Sequence, residues 1–260
     1  MNILITGARS NIGYSLAKSL SLRGHIVYAG CKTLKEKKAL EEKINHEKII
    51  MFPIVLNLLD SDFDIDKLDI DCLILHASIG NGGSILELSN ERFNEVIDVN
   101  IKGNFRLLQK YLRYCYYHKR RSKVFITSSL AAFFPLPYLS TYTSSKLYLY
   151  HLASTLRLEL LYQGLDVSIS LIMPGAYYTG FNDLMIDNKS KDEYILKDKA
   201  LTISKYQKIM FSLLENIDYS YLVKEVVREI EKDKPKFIIS RPLNQKIFTK
   251  IYILIKTLIV

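Results

Sequence analysis

Cysteine is scarce in this chain, and its scarcity argues against two common ways of holding a protein together. The three cysteines, Cys31, Cys72 and Cys115, are odd in number, which argues against a disulfide framework. Neither they nor the five scattered histidines have the spacing of metal ligands. The sequence therefore predicts no structural or catalytic metal.

The chain also lacks any stretch that would divide it. No Pro-, Ser- or Gly-rich linker, internal repeat or low-complexity tract interrupts its 260 residues. With 48% hydrophobic residues it can form one α/β domain with a large core, and global disorder is excluded. The N-terminus has no basic leader or long apolar region, so we expect a strand there rather than a signal peptide, and a cytoplasmic location.

Acidic residues are outnumbered, since 36 lysines and arginines face 27 aspartates and glutamates and give a net charge of +9. Such a charge suits anionic ligands, acidic partners or an anionic membrane surface. No nucleic-acid-binding module is visible in the sequence. A solvated basic face is therefore favoured over nucleic-acid binding.

Short apolar runs alternate with helical patterns along the chain. The runs that predict strands are 3–6, 26–30, 49–56, 72–76, 124–127, 167–173 and 236–240. Helical patterns cover 11–22, 34–44, 93–117, 140–162 and 219–231, and a short helical turn is expected between the third and fourth strands. This alternation predicts an α/β fold: a doubly wound parallel sheet of about seven strands with helices on both faces.

Four polar residues have the types and spacing of a proton-relay site. Tyr142 and Lys146 lie four apart in a helical pattern and therefore share one helix face. Moving a phenol pKa from ~10 to near neutrality requires about 4 kcal/mol, which a cation in a partly desolvated cleft can supply. Ser129 follows the fifth predicted strand, where its hydroxyl can hold a substrate oxygen. Together with Asn100, these residues indicate reduction of a carbonyl or oxidation of an alcohol.

Five motifs in order along the chain resemble those of the short-chain dehydrogenase/reductase family. They are Thr-Gly-Ala-Arg-Ser-Asn-Ile-Gly at 6–13, Asp-Val-Asn at 98–100, Ser129, Tyr142 with Lys146, and Pro174-Gly175 with Thr179. The resemblance implies one Rossmann-type domain over 1–240 that transfers a hydride between a nicotinamide cofactor and a carbonyl or secondary alcohol. It also implies homodimers or homotetramers formed through the helices that carry Asn100 and Tyr142.

The resemblance also assigns roles to individual residues. Tyr142 is implied to be the general acid/base, Lys146 to lower its pKa, Ser129 to hold the substrate oxygen, and Asn100 to bend its helix and anchor a relay water. The implied cofactor contacts come from Gly7, Arg9, Ser10, Asn11, Ile12, Gly13, Lys32, Asn57, Ala77, Tyr142, Lys146, Pro174, Gly175 and Thr179. Backbone N–H groups at the start of the first helix are expected to receive the pyrophosphate.

Three places depart from the family's pattern. Asn11 replaces a glycine, and asparagine tolerates a left-handed backbone better than most residues. Asn57 stands where the family tends to have an aspartate. Leu-His-Ala-Ser at 75–78 replaces Asn-Asn-Ala-Gly, and His76 is expected to be a hydrogen-bonded structural residue. These changes concern the placement of the adenine and its ribose.

The tip of the second predicted strand bears on the choice between the two nicotinamide dinucleotides. Lys32 stands there, with Arg9 in the adjacent glycine turn, and no carboxylate accompanies them. Two cations favour a ribose 2′-phosphate, so NADP(H) is expected over NAD(H). The alternative is that both residues are solvated surface charges.

Apolar and aromatic residues are expected to frame the substrate pocket, which favours a hydrophobic carbonyl or alcohol over a small charged acid. They are Ile79, Leu130, Phe133, Phe134, Leu136, Tyr138, Tyr178, Phe181, Leu184 and Met185. Residues from about 176 to 205 are interpreted as a mobile substrate lid. A catalytically weak NADP-binding sensor or scaffold that retains the fold is the alternative function.

The C-terminal tail, 241–260, is amphipathic. From Gln245 onward, polar residues gather on one arc of a helical wheel and apolar residues fill the rest. The segment is too short and too charged to span a bilayer. Peripheral membrane contact through 245–260 and packing against protein, either a second subunit or the domain itself, stay open at this point.

Overall fold

Seven parallel strands form the centre of the molecule. The computed structural model describes residues 1–9, 11–60, 63–187, 195 and 197–259. The strands are β1 (Asn2–Thr6), β2 (Ile26–Cys31), β3 (Phe52–Val55), β4 (Cys72–Leu75), β5 (Ser122–Thr127), β6 (Val167–Pro174) and β7 (Ile238–Arg241). They pair in the order β3-β2-β1-β4-β5-β6-β7. The predicted Rossmann-type sheet is confirmed.

Helices cover both faces of this sheet. They are α1 (Asn11–Leu22), α2 (Leu34–Glu47), α3 (Asn90–Val96), α4 (Asn104–Tyr117), α5 (Ser140–Gln163), α6 (Phe181–Asp187), α7 (Lys197–Leu214), α8 (Ser220–Ile230) and α9 (Leu243–Ile259). Successive residues of β1 point to opposite faces: Ile3 and Ile5 pack with α1, α2 and α8, whereas Leu4 packs with α4 and α5. All three are fully buried, which is why this strand is continuously apolar.

The connection from β3 to β4 is short, as the sequence predicted. Its helical part is a 3-10 turn, Asp66–Leu68. Ile65 and Ile70, on either side of that turn, are fully buried in the core that α4 and α5 cover. The side chains of Ile65 and Ile70 thus fill the part of the core that a full crossover helix would otherwise cover.

The largest boundary difference lies between α2 and β3. The pattern at 49–56 predicted one strand, but α2 runs on to Glu47 and ends at Lys48, whose backbone is left-handed with φ 53°. The N–H of Ile49 then bonds to the carbonyl of Ile44, in the manner of a helix cap. Ile49 is therefore part of the helix end, although it is buried like a strand residue.

The lid segment differs from expectation, and the tail adopts one of the alternatives left open. Within the segment interpreted as a lid, residues 181–187 form α6 and residues from 197 onward begin α7, so these parts are helical where the sequence showed no clear period. The tail forms α9, which packs on the domain. Within the described ranges, no helix combines the length and apolarity needed to cross a membrane.

Candidate active site

A cleft of about 700 Å³ opens at the carboxyl ends of the strands. Because β1 lies between β2 and β4, the chain winds away from it in both directions, and ligands of such sheets bind at this switch point. Most of the predicted site residues line the cleft: Gly7, Arg9, Asn11, Ile12, Lys32, Asn57, Ala77, Ser129, Tyr142, Lys146, Pro174, Gly175 and Thr179. Gly13 and Asn100 lie behind its wall, and Ser10 is outside the described residues.

The turn between β1 and α1 is packed too closely for side chains. A Cβ on Gly13 would overlap the carbonyl oxygen of Gly7 and lie 2.9 Å from the His76 ring. Asn11 takes the expected left-handed backbone, with φ 54°, and donates from Nδ2 to the Thr179 carbonyl at 3.1 Å. Such a close turn at a helix start leaves backbone N–H groups open to an anion. This cradle fits a dinucleotide pyrophosphate.

The expectation of two cations without a carboxylate at the end of β2 is wrong. Glu36, in the first turn of α2, accepts from the Lys32 backbone N–H at 2.8 Å and lies 3.5 Å from Arg9 Nε. Thr33 caps the helix by accepting from the Glu36 N–H. The spacing Thr-x-x-Glu is that of a capping box, in which the glutamate folds back towards the helix start. That pattern was the available signal for a carboxylate here.

Asn57 and His76 make local hydrogen bonds at the cleft wall. Asn57 donates to Asp60 Oδ1 at 3.1 Å and accepts from the Leu59 N–H at 3.2 Å, so its amide holds its own turn. The ring of His76 bonds to the Thr127 hydroxyl at 3.2 Å. Burial, followed by the Lys146 charge, lowers the pKa of His76 to about 4, so the imidazole is neutral at physiological pH.

The structure brings Ser129, Tyr142 and Lys146 together at one wall of the cleft. Lys146 Nζ lies 5.6 Å from the centre of the Tyr142 ring and donates to the Thr127 carbonyl at 3.2 Å. The hydroxyl of Ser129 donates to the Pro174 carbonyl at 3.4 Å, and its oxygen accepts from the Ala131 N–H at 3.1 Å. The ends of β5 and the first turns of α5 thus meet at one point, as the spacing predicted.

Burial dominates the titration of the Tyr142 and Lys146 pair. It raises the pKa of Tyr142 to about 12, while the hydrogen bond to Ser129 lowers that pKa by less. It also lowers the pKa of Lys146 to about 7. The sequence predicted that Lys146 lowers the Tyr142 pKa, but among the protein's own groups the effect of burial runs the other way. The phenol is protonated and the lysine is close to its titration point at neutral pH.

Asn100 lies in a π-helical segment, Ile97–Gly103, between α3 and α4. Its side chain is fully buried and bonds to both backbone groups of Ile79, at 2.9 Å each, and to the Ser145 hydroxyl at 3.0 Å. A π-helical segment, whose turns are wider, thus lies where the sequence predicted a bend. Asn100 ties the segment that follows β4 to the helix that carries Tyr142 and Lys146.

Asn104 was not identified from the sequence. It is buried one turn after Asn100, and its Nδ2 lies within 3.1–3.3 Å of the carbonyls of Ala77, Val99 and Asn100. Two of these carbonyls belong to the π-helical segment, whose wider turn leaves them short of backbone partners. Two asparagines four apart in a helical pattern were the available signal.

The predicted substrate wall is partly correct. Ile79, Leu130, Phe134, Leu136, Phe181 and Met185 line the cleft, whereas Phe133, Tyr138, Tyr178 and Leu184 do not. The Phe133 ring packs into the core against Tyr150 at 5.0 Å between ring centres, and Tyr178 and Leu184 face solvent. Residues that the sequence reasoning missed complete the wall from α7 and α9: Met210, Phe211, Leu214, Gln245, Phe248 and Thr249.

Comparisons with known proteins agree with this architecture. The family model for the short chain dehydrogenase matches residues 1–190. Human dehydrogenase/reductase SDR family member 2, mitochondrial, is 29% identical over 198 residues, which are 72% of this chain and 69% of that protein. Two solved structures share the fold. One, from Burkholderia phymatum in complex with NAD, has TM-score 0.77, 18% identity and coverage of 95% of this chain and 91% of the other.

The second is a variant of actinorhodin polyketide ketoreductase with NADPH, which has TM-score 0.73 and 17% identity and covers 92% of this chain and 93% of that one. At 17–18% identity, the two structures support the fold assignment and nothing finer. The family follows from the sequence match over most of the chain. This chain belongs to the short chain dehydrogenase family.

Proposed function

We propose that the protein is an NADP(H)-dependent oxidoreductase that interconverts a hydrophobic carbonyl compound and its secondary alcohol. The observation that carries the proposal is the meeting of Ser129, Tyr142 and Lys146 in one cleft with the glycine turn before α1. A scaffold would have no need of an uncompensated lysine buried beside a phenol. The catalytic roles of these residues, and of Asn100 as a positioning residue, form part of the proposal.

The residues that would hold the cofactor line the part of the cleft formed by the turn between β1 and α1, the end of β2 and the segment after β6. The turn at Gly7, Asn11 and Ile12 would receive the pyrophosphate, and Arg9 and Lys32 the ribose 2′-phosphate. Pro174, Gly175 and Thr179 lie on the side nearer Tyr142 and would hold the nicotinamide half. The bound cofactor supplies or accepts the hydride, and the protein supplies placement. The negative charge of Glu36 would repel the 2′-phosphate, but it would not cancel the positive charges of both Arg9 and Lys32.

The pKa values favour carbonyl reduction at neutral pH. Tyr142 holds its proton, because burial raises its pKa to about 12, and can donate it to an oxygen that becomes negative. Ser129 lines the same cleft as the phenol, and its hydroxyl would hold that oxygen. Lys146, with its pKa lowered to about 7, can return a proton near neutrality. Tyr142 is therefore assigned as general acid, Lys146 as the group that restores its proton.

The second half of the cleft suits an apolar substrate. Phe181 of α6 packs 5.5 Å from the Tyr142 ring, and Met185 of the same helix contacts the same cluster. Phe134, Met210 and Phe211 add further apolar surface. We propose that α6 and the start of α7 form the substrate lid, because α6 covers the phenol that must reach the substrate.

We further propose that the chain acts in the cytoplasm as a homodimer or homotetramer. Apolar side chains exposed on the outer faces of α4 and α5 support assembly through these helices: Phe105, Tyr116, Tyr117, Leu158 and Leu161. In such an assembly, α5, which carries Tyr142 and Lys146, would be held in place by packing against a second subunit. Sedimentation of the purified protein would measure the subunit number.

The proposed reaction is tested with a panel of carbonyl compounds, assayed with NADPH and with NADH. Oxidation of NADPH by an apolar ketone is expected, with lower activity for small charged acids. Tyr142→Phe should lower kcat about a thousandfold, within the usual contribution of a general acid, while fluorescence titration shows unchanged NADPH binding. Tyr178→Phe, at an exposed tyrosine outside the cleft, is the matched control.

Two results would contradict the proposal. Tight NADPH binding without oxidation by any carbonyl of the panel would favour the sensor or scaffold. Full activity of Tyr142→Phe would remove the phenol from the mechanism. A clear preference for NADH would leave the oxidoreductase in place and overturn only the choice of cofactor.

A further inference from the structure

Helix α9 turns its apolar side towards solvent. Leu243, Ile247, Ile251, Leu254, Ile255 and Leu258 are all about half exposed or more, and their spacing places them along one side of the helix. An ordinary surface helix buries this side and exposes the polar one. We call these six residues the α9 stripe. Its exposure calls for a covering that the described part of the chain does not provide.

Specific contacts on the other side fix this orientation. Gln245 accepts from the Ala176 N–H at 2.8 Å and donates to the Leu214 carbonyl at 2.6 Å. Thr249 is buried, and the ring of Tyr252 packs 4.7 Å from that of Phe134. Because these contacts hold the polar side inward, the helix cannot roll to bury the α9 stripe without losing them.

The charges of α9 are all of one sign. Lys246, Lys250 and Lys256 are its only ionisable groups other than tyrosine, and no aspartate or glutamate occurs between Leu243 and Ile259. Pairing two copies of this helix along the stripe would bring lysines together without a carboxylate to neutralise them. Anionic lipid head groups would neutralise them, and the net charge of +9 acts in the same direction.

The apolar surface continues from α9 onto α7. Gln245 joins the two helices through the Leu214 carbonyl, and α7 exposes Leu201, Ile209 and Leu213. Leu214 and Phe248, one from each helix, are about half exposed and also line the cleft. The exposed apolar surface therefore borders the opening of the cleft.

We propose that α9 docks on the surface of an anionic lipid bilayer, with the α9 stripe in the head-group region and the cleft opening towards the lipid. Exposed apolar residues beside lysines are the pattern by which helices lie in a membrane interface. The membrane then covers the stripe, and the lysines contact the anionic head groups. An apolar substrate would reach the cleft from the lipid.

The test is cosedimentation of the full-length protein with vesicles of phosphatidylcholine alone or mixed with phosphatidylglycerol. Binding is expected with the mixed vesicles and should weaken at high salt. Lys250→Gln, at the lysine next to the α9 stripe on the helix surface, should weaken it about fivefold, since a lysine near an anionic surface contributes a factor of about five. Leu254→Ser combined with Leu258→Ser should weaken it at least about tenfold.

A matched control is Leu22→Ser combined with Leu86→Ser, which makes the same change at exposed leucines that belong neither to the proposed subunit interface nor to α7 or α9. All variants alter exposed side chains, so thermal unfolding should be unchanged and binding can be compared directly. Failure of the unaltered protein to bind mixed vesicles would overturn the proposal. So would a Leu254→Ser, Leu258→Ser variant that loses subunits in sedimentation but binds vesicles normally, because the stripe would then join two copies. Neither readout depends on catalysis.

Discussion

The carboxylate of Glu36 lies beside the two cations proposed to hold a ribose 2′-phosphate. It accepts from the Lys32 N–H at 2.8 Å and lies 3.5 Å from Arg9 Nε. Glu36→Gln keeps an oxygen that can accept from Lys32 but removes the charge that competes for Arg9. We therefore expect this change to raise kcat/KM with NADPH and leave kcat/KM with NADH within about twofold, since NADH has no 2′-phosphate for the charge to oppose.

The size of the effect follows from the exposure of the pair. The Arg9 side chain is 54% exposed and that of Glu36 29%, and ion pairs of this kind contribute about 0.2–1 kcal/mol. Repulsion between the carboxylate and a nearby dianion, screened by water and salt, adds about 1 kcal/mol. The sum, up to about 2 kcal/mol, corresponds to about a thirtyfold rise in the NADPH to NADH ratio.

The assay is steady-state kinetics with both cofactors on one carbonyl substrate. Glu42→Gln is the control, because it removes the same charge from an exposed position of α2 outside the cleft. If Glu36→Gln leaves kcat/KM for NADPH unchanged, the carboxylate does not compete with the phosphate. If instead kcat/KM for NADH collapses, Glu36 binds the ribose hydroxyls, and the proposed NADP(H) preference is refuted with it.

Two further predictions concern stability. Burial lowers the Lys146 pKa to about 7, whereas in the unfolded chain it is near ~10.4, so the unfolded state binds more protons between these values and stability rises with pH across that window. Lys146→Met should therefore raise Tm by about 5 °C or more at pH 6, and by less towards pH 10, while abolishing activity. Calorimetry measures this change, with Lys234→Met at an exposed lysine as the control. A lowered Tm at pH 6 would contradict the prediction. Gly175→Ala places a Cβ on the Gln245 side chain and 2.8 Å from Pro242 Cδ, and it should cost about 1–3 kcal/mol in denaturant unfolding. That cost should shrink in a Gln245→Ala background to the part that is due to Pro242, and an equal cost in both would refute the clash with Gln245.

The sequence predicted those parts of the site that depend on local spacing. Tyr142 and Lys146 share a helix face because they are four apart, and Ser129 meets them because β5 ends and α5 begins at the same edge of a parallel sheet. The left-handed backbone at Asn11 likewise followed from the residue type and its place in the turn. Periodicity and turn chemistry act over a few residues, so one sequence is enough to read them.

Features that depend on which element packs where were missed. Glu36 reaches the end of β2 through a helix cap, and Gln245 and Phe248 reach the cleft from a helix more than sixty residues beyond Thr179 in the sequence. A helical wheel predicted that the tail is amphipathic, but it does not show which side of the helix packs on the domain. The side that the domain covers was decided by hydrogen bonds from Gln245 to the backbone near β6 and at the end of α7.

The pKa values of the proposed catalytic pair depend on burial, which spacing alone does not give. A lysine beside a phenol lowers the phenol's pKa only while the lysine is charged, and the spacing says nothing of how deeply the pair is buried. Lys146 is 2% exposed, and no carboxylate among the described residues hydrogen-bonds to it, so burial disfavours its charge as well as that of Tyr142. In the protein alone the proton therefore stays on the phenol. In the proposed reductase, the protonated phenol is the form that is needed before the carbonyl substrate binds. The buried Lys146 amine titrates near neutrality, and we expect this titration to set how quickly Tyr142 regains its proton.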